Sequence, residues 1–263
     1  MTGAAEMKNA PAYYEGQGRF RGFTGNGLKL FAMAVMLIDH IACAWSLDLV
    51  NYDVYYVLRV IGRFAFPIFA YMIAVGARHT HDIRKYLLRL AAFAVLSEVP
   101  FDLAFGFASP GQWIEWEHQN VFLTLLLGLA ALALLRLFRE RLGRFYLIPG
   151  AAALVLLMLA ANFLNTDYAD MGVLSIFLFY VFADKRQGAR TAGFALAILV
   201  LAFDWQTLLN LTELFAVAAL PLILLHNGQK GVKMNRWVFY AFYPSHLLLL
   251  YLLGLLVKPL LGV

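Results

Sequence analysis

The chain contains one cysteine, Cys43, among 263 residues. A lone cysteine excludes an intrachain disulfide and any metal site built from several thiolates. Charge is scarce as well: Asp, Glu, Lys and Arg make up 14% of residues, against 62% that are hydrophobic. That balance excludes an ordinary soluble domain, where roughly a quarter of residues are charged. Long polar stretches are also missing. The longest polar connection, at 102–120, has no room for a soluble domain. Residues 1–27 lack an apolar core and a small-residue cleavage site, so they are expected to be a polar cytoplasmic lead-in and not a signal peptide. No internal repeat is visible, which weighs against a transporter built from two related halves.

What remains is hydrophobic runs. Nine segments are long enough, or nearly so, to cross a bilayer as helices: 28–47, 54–77, 86–105, 121–137, 145–164, 171–183, 191–203, 206–226 and 237–257. The seventh is the shortest. The expected fold is therefore all-α, a polytopic transmembrane helix bundle forming a single domain over 28–263.

The cations set its orientation. All Lys and Arg residues except Arg59, Arg63 and Lys258 fall before or at the start of segment one, or in and at the edges of the connections after segments two, four, six and eight. The other four connections carry none. By the positive-inside rule the N-terminus is expected to be cytoplasmic and the C-terminus outside. The formal net charge of +5 is explained by these helix-end cations beside anionic lipid, so no nucleic-acid partner is implied. Trp113 and Trp116, in the long outer loop with Glu115 and Glu117, suit a helix lying at the interface.

Arg59 and Arg63 are left inside the hydrocarbon, where unpaired charge is costly and usually functional. They lie four residues apart and share a helix face. His40 is roughly 16 Å above Lys29 at 1.5 Å per residue, near the middle of a hydrocarbon core about 30 Å thick. Glu98 and Asp102 fall in the outer third of segment three, and Glu213 near the outer end of segment eight. Asp167, Asp170 and Asp204 fall in outer connections, and His246 near the middle of segment nine. These polar groups converge by height on the outer half of the membrane. Charge balance calls for carboxylates beside Arg59 and Arg63, and Asp39, Glu98 and Glu213 are available. Asp39 and His40 diverge by roughly 100° around the helix, so Asp39 is expected to pair with another helix and not to orient His40.

Plainer roles exist for several of these groups. An arginine paired with Glu98 is also what an interhelical staple looks like. His246, beside Tyr243 and Pro244, suits a bond to a backbone carbonyl at a kink. Cys43 lies on the His40 face, where a buried cysteine is usually a small hydrophobe. His79, His81 and Asp82 read as a charged cytoplasmic turn and not as metal ligands.

Ordered motifs run from residue 28 to 251: Asp39-His40, then Arg59 to Gly62-Arg63 and Pro67, then Lys85 to Arg89, then Ser97-Glu98 to Pro100-Phe101-Asp102. Asn120 to Thr124 and Gly128 follow, with Asp167-Tyr168 to Gly172 and finally Phe242-Tyr243-Pro244-Ser245-His246. In these the chain resembles the TraX family, named for a protein that acetylates the N-terminal amine of pilin. The family is similar to wider multipass acyltransferases, the acyltransferase-3 proteins and heparan N-acetyltransferase. The resemblance implies an N- or O-acetyltransferase that takes acetyl from cytosolic acetyl-CoA, with no metal. His40, Asp39, Arg63 and Glu98 are then the expected catalytic group. Arg59, Asp102, Asn120, Asp167, Tyr243 and His246 are expected to line the acceptor site. Arg78, Lys85, Lys230 and Lys233 are expected to hold the CoA phosphates. The acceptor expected from the resemblance is a pilin amine, a glycan or a lipid headgroup. The rival expectation is a proton-coupled small-molecule transporter using the same buried groups as a relay.

Overall fold

A computed structural model describes residues 22–49, 51–105 and 118–261. The lead-in 1–21 and the loop with Trp113, Glu115, Trp116 and Glu117 lie outside the described residues. Among those described the fold is all helix, with isolated bridges and no strand.

The helices are α1 (Gly25–Leu49), α2 (Tyr52–Gly62), α3 (Ala65–His79), α4 (Ile83–Phe105), α5 (Val121–Leu142), α6 (Leu147–Phe163), α7 (Ala169–Phe182), α8 (Gln187–Leu199), α9 (Leu220–Leu224) and α10 (Arg236–Leu261). The chain is a membrane protein by the length and apolarity of its helices. Gly25–Trp45, Tyr52–His79, Val121–Phe145 and Arg236–Val257 are each long and apolar enough to cross a bilayer. Shorter apolar helices occupy Leu147–Phe163, Ala169–Phe182, Gln187–Ala202 and Glu213–Leu224. The surface agrees. Val95, Ile148 and Phe163 are 79%, 82% and 87% exposed, an outward apolar display that water would not tolerate and lipid would.

Segment two is broken where the site needs it to be. α2 starts on Asn51, whose side chain accepts the Val54 amide at 3.0 Å. It ends at Gly62, and α3 restarts at Ala65 with Pro67 in its first turn. Proline is tolerated there because first-turn amides have no partner within the helix. Gly62 admits the neighbouring helix: a Cβ at this position would overlap Asp39 of α1.

Segment eight departs from expectation. A continuous helix over 206–226 is replaced by a loop, a 3₁₀ stretch at Glu213–Ala219 and the single-turn α9. Asp204 explains the loop. Its Oδ1 accepts from the Gln206 amide at 2.9 Å, and from the Thr207 amide and hydroxyl at 2.6 and 2.9 Å. Such an aspartate turn competes with helix. Pro221, in the first turn of α9, cannot extend a preceding helix by donating a backbone hydrogen bond.

Links between connections join the ends of the bundle in two groups. At one end, Phe23 N donates to Leu225 O and Asn227 N donates to Phe23 O, both at 2.9 Å, and Gly25 N donates to Gln229 O at 2.8 Å. Arg78 bonds the Tyr180 carbonyl at 3.1 Å and pairs with Asp184. At the other end, Gln119 N donates to Asn165 O at 3.0 Å, and Trp205 Nε1 to Asp170 Oδ2 at 3.0 Å. Every link joins connections that the charge pattern assigns to one side. The core between the two ends is apolar, with Ile68, Leu129, Ile176, Phe179 and Leu247 fully enclosed.

Candidate functional site

α1 and α2 meet at a compact ion cluster. Asp39 Oδ2 accepts from Arg59 Nη1 at 2.7 Å, and Asp39 Oδ1 accepts from Arg63 Nη2 at 2.9 Å. Arg63 Nη1 donates to Glu213 at the start of the 3₁₀ stretch. Arg63 Nε donates to the Arg59 carbonyl at 3.2 Å. Two cations and two carboxylates thus neutralise one another, as a low-dielectric setting requires. Only a planar guanidinium can bridge two carboxylates in this way. Arg59 also reaches Cys43 Sγ.

Glu98 is not part of this cluster. It bonds Asn120, whose Nδ2 also donates to the Ala94 carbonyl at 2.8 Å, while Asn120 Oδ1 caps α5 by accepting the Phe122 amide at 3.0 Å. Glu98, one of the three carboxylates available to the arginines, thus has no place beside Arg63. Glu213 takes that place, and Asn120, held by its helix cap, claims Glu98. Asp102 is fully buried on the same helix as Glu98.

His40 faces α10. Its Nδ1 lies 2.7 Å from Nε2 of His246, with the two rings stacked at 4.9 Å between centroids and 11° between planes. Phe105 and Tyr243 meet His40 edge-on, at 5.2 and 5.8 Å. His246 Nδ1 bonds the Phe242 carbonyl at 2.7 Å, the backbone contact expected from the sequence.

A cavity of about 750 Å³ joins these features. Asp39, His40, Arg59, Arg63, Asp167 and Tyr243 line it, whereas Glu98, Asp102, Asn120 and His246 are absent from its wall. Tyr168, present in the motifs but given no role by the sequence, is on the wall and stacks on Phe66 with ring centroids 3.7 Å apart. The same cavity reaches the end of the bundle where α1 begins. There its lining includes Lys29, Arg89, Lys230 and Arg236. Among the described residues none of these four belongs to an ion pair. Three lie over aromatic rings: Lys29 on Phe239 at 4.9 Å, Arg89 on Tyr86 at 5.6 Å and Arg236 on Trp237 at 5.8 Å. Arg78, Lys85 and Lys233 lie off the wall. Arg78 pairs with Asp184 and Lys85 with Asp82, the latter at 3.1 Å. Sequence alone had no signal to separate Lys29, Arg89 and Arg236 from cations that only orient the protein.

The description TraX protein matches residues 24–254. The chain belongs to the TraX family. It is also 28% identical over 243 residues to the probable fimbrial assembly protein FimC, serogroup H1, of Dichelobacter nodosus, covering 87% of this chain and 94% of that relative. No solved structure matches.

The arrangement has chemical capacity of two kinds. An imidazole on a cavity wall is a proton acceptor within reach of a ligand. Two guanidiniums on the same wall, fixed by carboxylates behind them, are preorganised donors for developing negative charge. Among the described residues no cluster of three His, Cys, Asp or Glu side chains has metal-binding geometry.

Proposed function

We propose that this TraX-family protein is a nine-span bacterial inner-membrane acyltransferase that moves an acetyl group from cytosolic acetyl-CoA to an amine acceptor at the outer half of the membrane. The observation that carries the reading is the continuous cavity, with cations at one end that belong to no ion pair among the described residues and His40 with the Asp39–Arg59–Arg63–Glu213 cluster further in. CoA is a polyanion with a long, mostly neutral arm. Lys29, Arg89, Lys230 and Arg236 suit its phosphates, and the Phe69, Met72, Phe122 and Leu125 stretch of the wall suits the arm. The name of the fimbrial assembly relative supports a pilin-type subunit amine as acceptor.

In this mechanism the acceptor enters as a neutral amine. Its nitrogen attacks the thioester carbonyl carbon while His40 takes the amine proton. Arg59 and Arg63 stabilise the oxyanion. The carbon–sulfur bond then breaks, and the CoA thiolate leaves with the proton held on His40. The products are an acetylated amine and CoA-SH, and His40 returns to its neutral state. Asp39 and Glu213 keep the two arginines on the wall throughout.

The test is CoA-SH release from acetyl-CoA by purified protein in nanodiscs, with a peptide or small amine as acceptor. Release should fall by about 10²–10⁴ in His40→Ala, the usual contribution of a positioned acid–base group. Folded protein that neither binds nor turns over acetyl-CoA overturns the reading. One observation favours a second reading, a proton-coupled transporter: the cavity wall also carries His118, Gln119 and Asn165, which belong to the opposite end of the bundle. Solute uptake by proteoliposomes without CoA release would select it.

A further inference from the structure

His246 is placed to act on His40 without touching a ligand. It is buried, at 5% exposure, and absent from the cavity wall that His40 lines. Both of its ring nitrogens are engaged, one by the Phe242 carbonyl at 2.7 Å and one by His40 at 2.7 Å. Stacking against Phe242, with centroids 4.6 Å apart, fixes the plane of the ring.

From this chain of bonds we infer that His246 sets the tautomer of His40, holding the proton on Nδ1 and leaving Nε2 as the lone-pair base. A carbonyl oxygen has no proton to give, so the Phe242–His246 bond requires a proton on His246 Nδ1. A neutral imidazole carries one proton, so His246 Nε2 is an acceptor. The contact at 2.7 Å then requires a proton on His40 Nδ1. His40 Nε2 is the nitrogen left to accept from a ligand. An imidazolium at His246 reverses this order: its Nε2 proton would point at His40 Nδ1 and force the proton of His40 onto Nε2. The rings around the pair are Phe105 and Tyr243 on His40 and Phe242 on His246, and among the described residues no carboxylate forms an ion pair with either histidine to stabilise that cation. Asp39, which neighbours His40 in sequence, is committed to Arg59 and Arg63 and does not substitute. His246 is therefore a positioning residue. It does for His40 what the aspartate does for the histidine of a hydrolase triad, with a neutral acceptor in place of a carboxylate.

The inference rests on the reading of His40 as a base, and its test is chosen to stand apart from activity. The protein is labelled with ¹⁵N-histidine in nanodiscs, and the His40 signals are assigned by their loss in His40→Gln. Wild type should show His40 protonated at Nδ1 with a lone-pair Nε2. In His246→Leu that preference should be lost. In His246→Gln, where the side-chain amide oxygen still accepts and its nitrogen still donates, the preference should be retained at least in part. The activity arm follows the same order. His246→Leu should lower kcat by about 10²–10⁴, as a wrong tautomer does, with KM for acetyl-CoA within a few fold, and His246→Gln should recover part of the loss. A His40 protonated at Nε2 in wild type overturns the inference, whatever the enzyme does. So does an unchanged His40 tautomer in folded His246→Leu. The expected tautomer in a protein with no acyltransferase activity upholds the coupling and overturns the reaction.

Discussion

The Asp39 carboxylate fills the space that a side chain at Gly62 would need. A Cβ on Gly62 overlaps Oδ1, Cβ and Cγ of Asp39 at once, so the glycine lets α2 approach α1 closely enough for one carboxylate to take two arginines. Gly62→Ala should therefore separate the helices or displace Asp39. Overpacking of this kind costs about 1–3 kcal/mol, and displacement also leaves Arg59 and Arg63 short of a counter-charge. The expected outcome is a lower thermal midpoint in detergent together with a loss of turnover larger than the loss of folded protein. An unchanged midpoint and full turnover would show that the α1–α2 contact is not fixed by this residue.

Asn120 holds three positions together: the α5 amide of Phe122, the Ala94 carbonyl and the Glu98 carboxylate. Asn120→Asp keeps the helix cap but replaces two donors with an acceptor facing Glu98. Leaving buried acceptors unpaired costs about 1–3 kcal/mol, and like-charge repulsion adds to it. Glu98→Gln supplies a donor to the new carboxylate. The double variant should therefore recover stability beyond the sum of the two single changes. Thermal unfolding of the four proteins in one detergent measures that coupling.

Heights and faces were legible in the sequence, and neighbours were not. Helical rise places His40 mid-membrane, and the cost of buried charge marks Arg59 and Arg63 as paired. Both arguments use one helix at a time. Which carboxylate reaches Arg63 depends on lateral packing, so Glu98 and Glu213 were equivalent until the helices were assembled. Asn120 read as a ligand-facing polar group, although its cap bond to Phe122 and its bond to Glu98 turn it inward. The 3₁₀ stretch at Glu213–Ala219 was hidden for a different reason. Its composition is apolar enough for a spanning helix, and the turn that displaces it is made by Asp204, outside the apolar run.

That turn has a pH signature. Hydrogen bonds from the Thr207 amide and hydroxyl, and from the Gln206 amide, hold the Asp204 carboxyl below its ordinary value of 3.8. A lowered carboxyl contributes stability above the unfolded value and loses it as pH falls through the folded one. The advantage of wild type over Asp204→Asn should thus be constant at neutral pH and shrink as pH drops below 3.8. Urea unfolding at a series of pH values, in a detergent tolerant of acid, checks the sign. A gap that widens on acidification would assign the stability to another group.

The cations at the cavity mouth line the cavity and, among the described residues, belong to no ion pair, and this allows binding to be separated from topology. Lys29 and Arg236 line the cavity, whereas Lys85 is exposed and paired with Asp82. If the mouth holds CoA phosphates, removing one charge-assisted hydrogen bond costs about 1.5–3 kcal/mol, or roughly 10–150-fold in affinity. Lys29→Gln and Arg236→Gln should each raise KM for acetyl-CoA by about that factor and leave kcat nearly unchanged, because the lost contact is equal in ground and transition states. Lys85→Gln should leave both constants near wild type. Raising ionic strength should weaken wild type more than either mouth variant, since screened phosphate contacts are already missing in the latter. Equal effects of all three substitutions would mean that these charges act through orientation in the membrane and that the donor enters elsewhere.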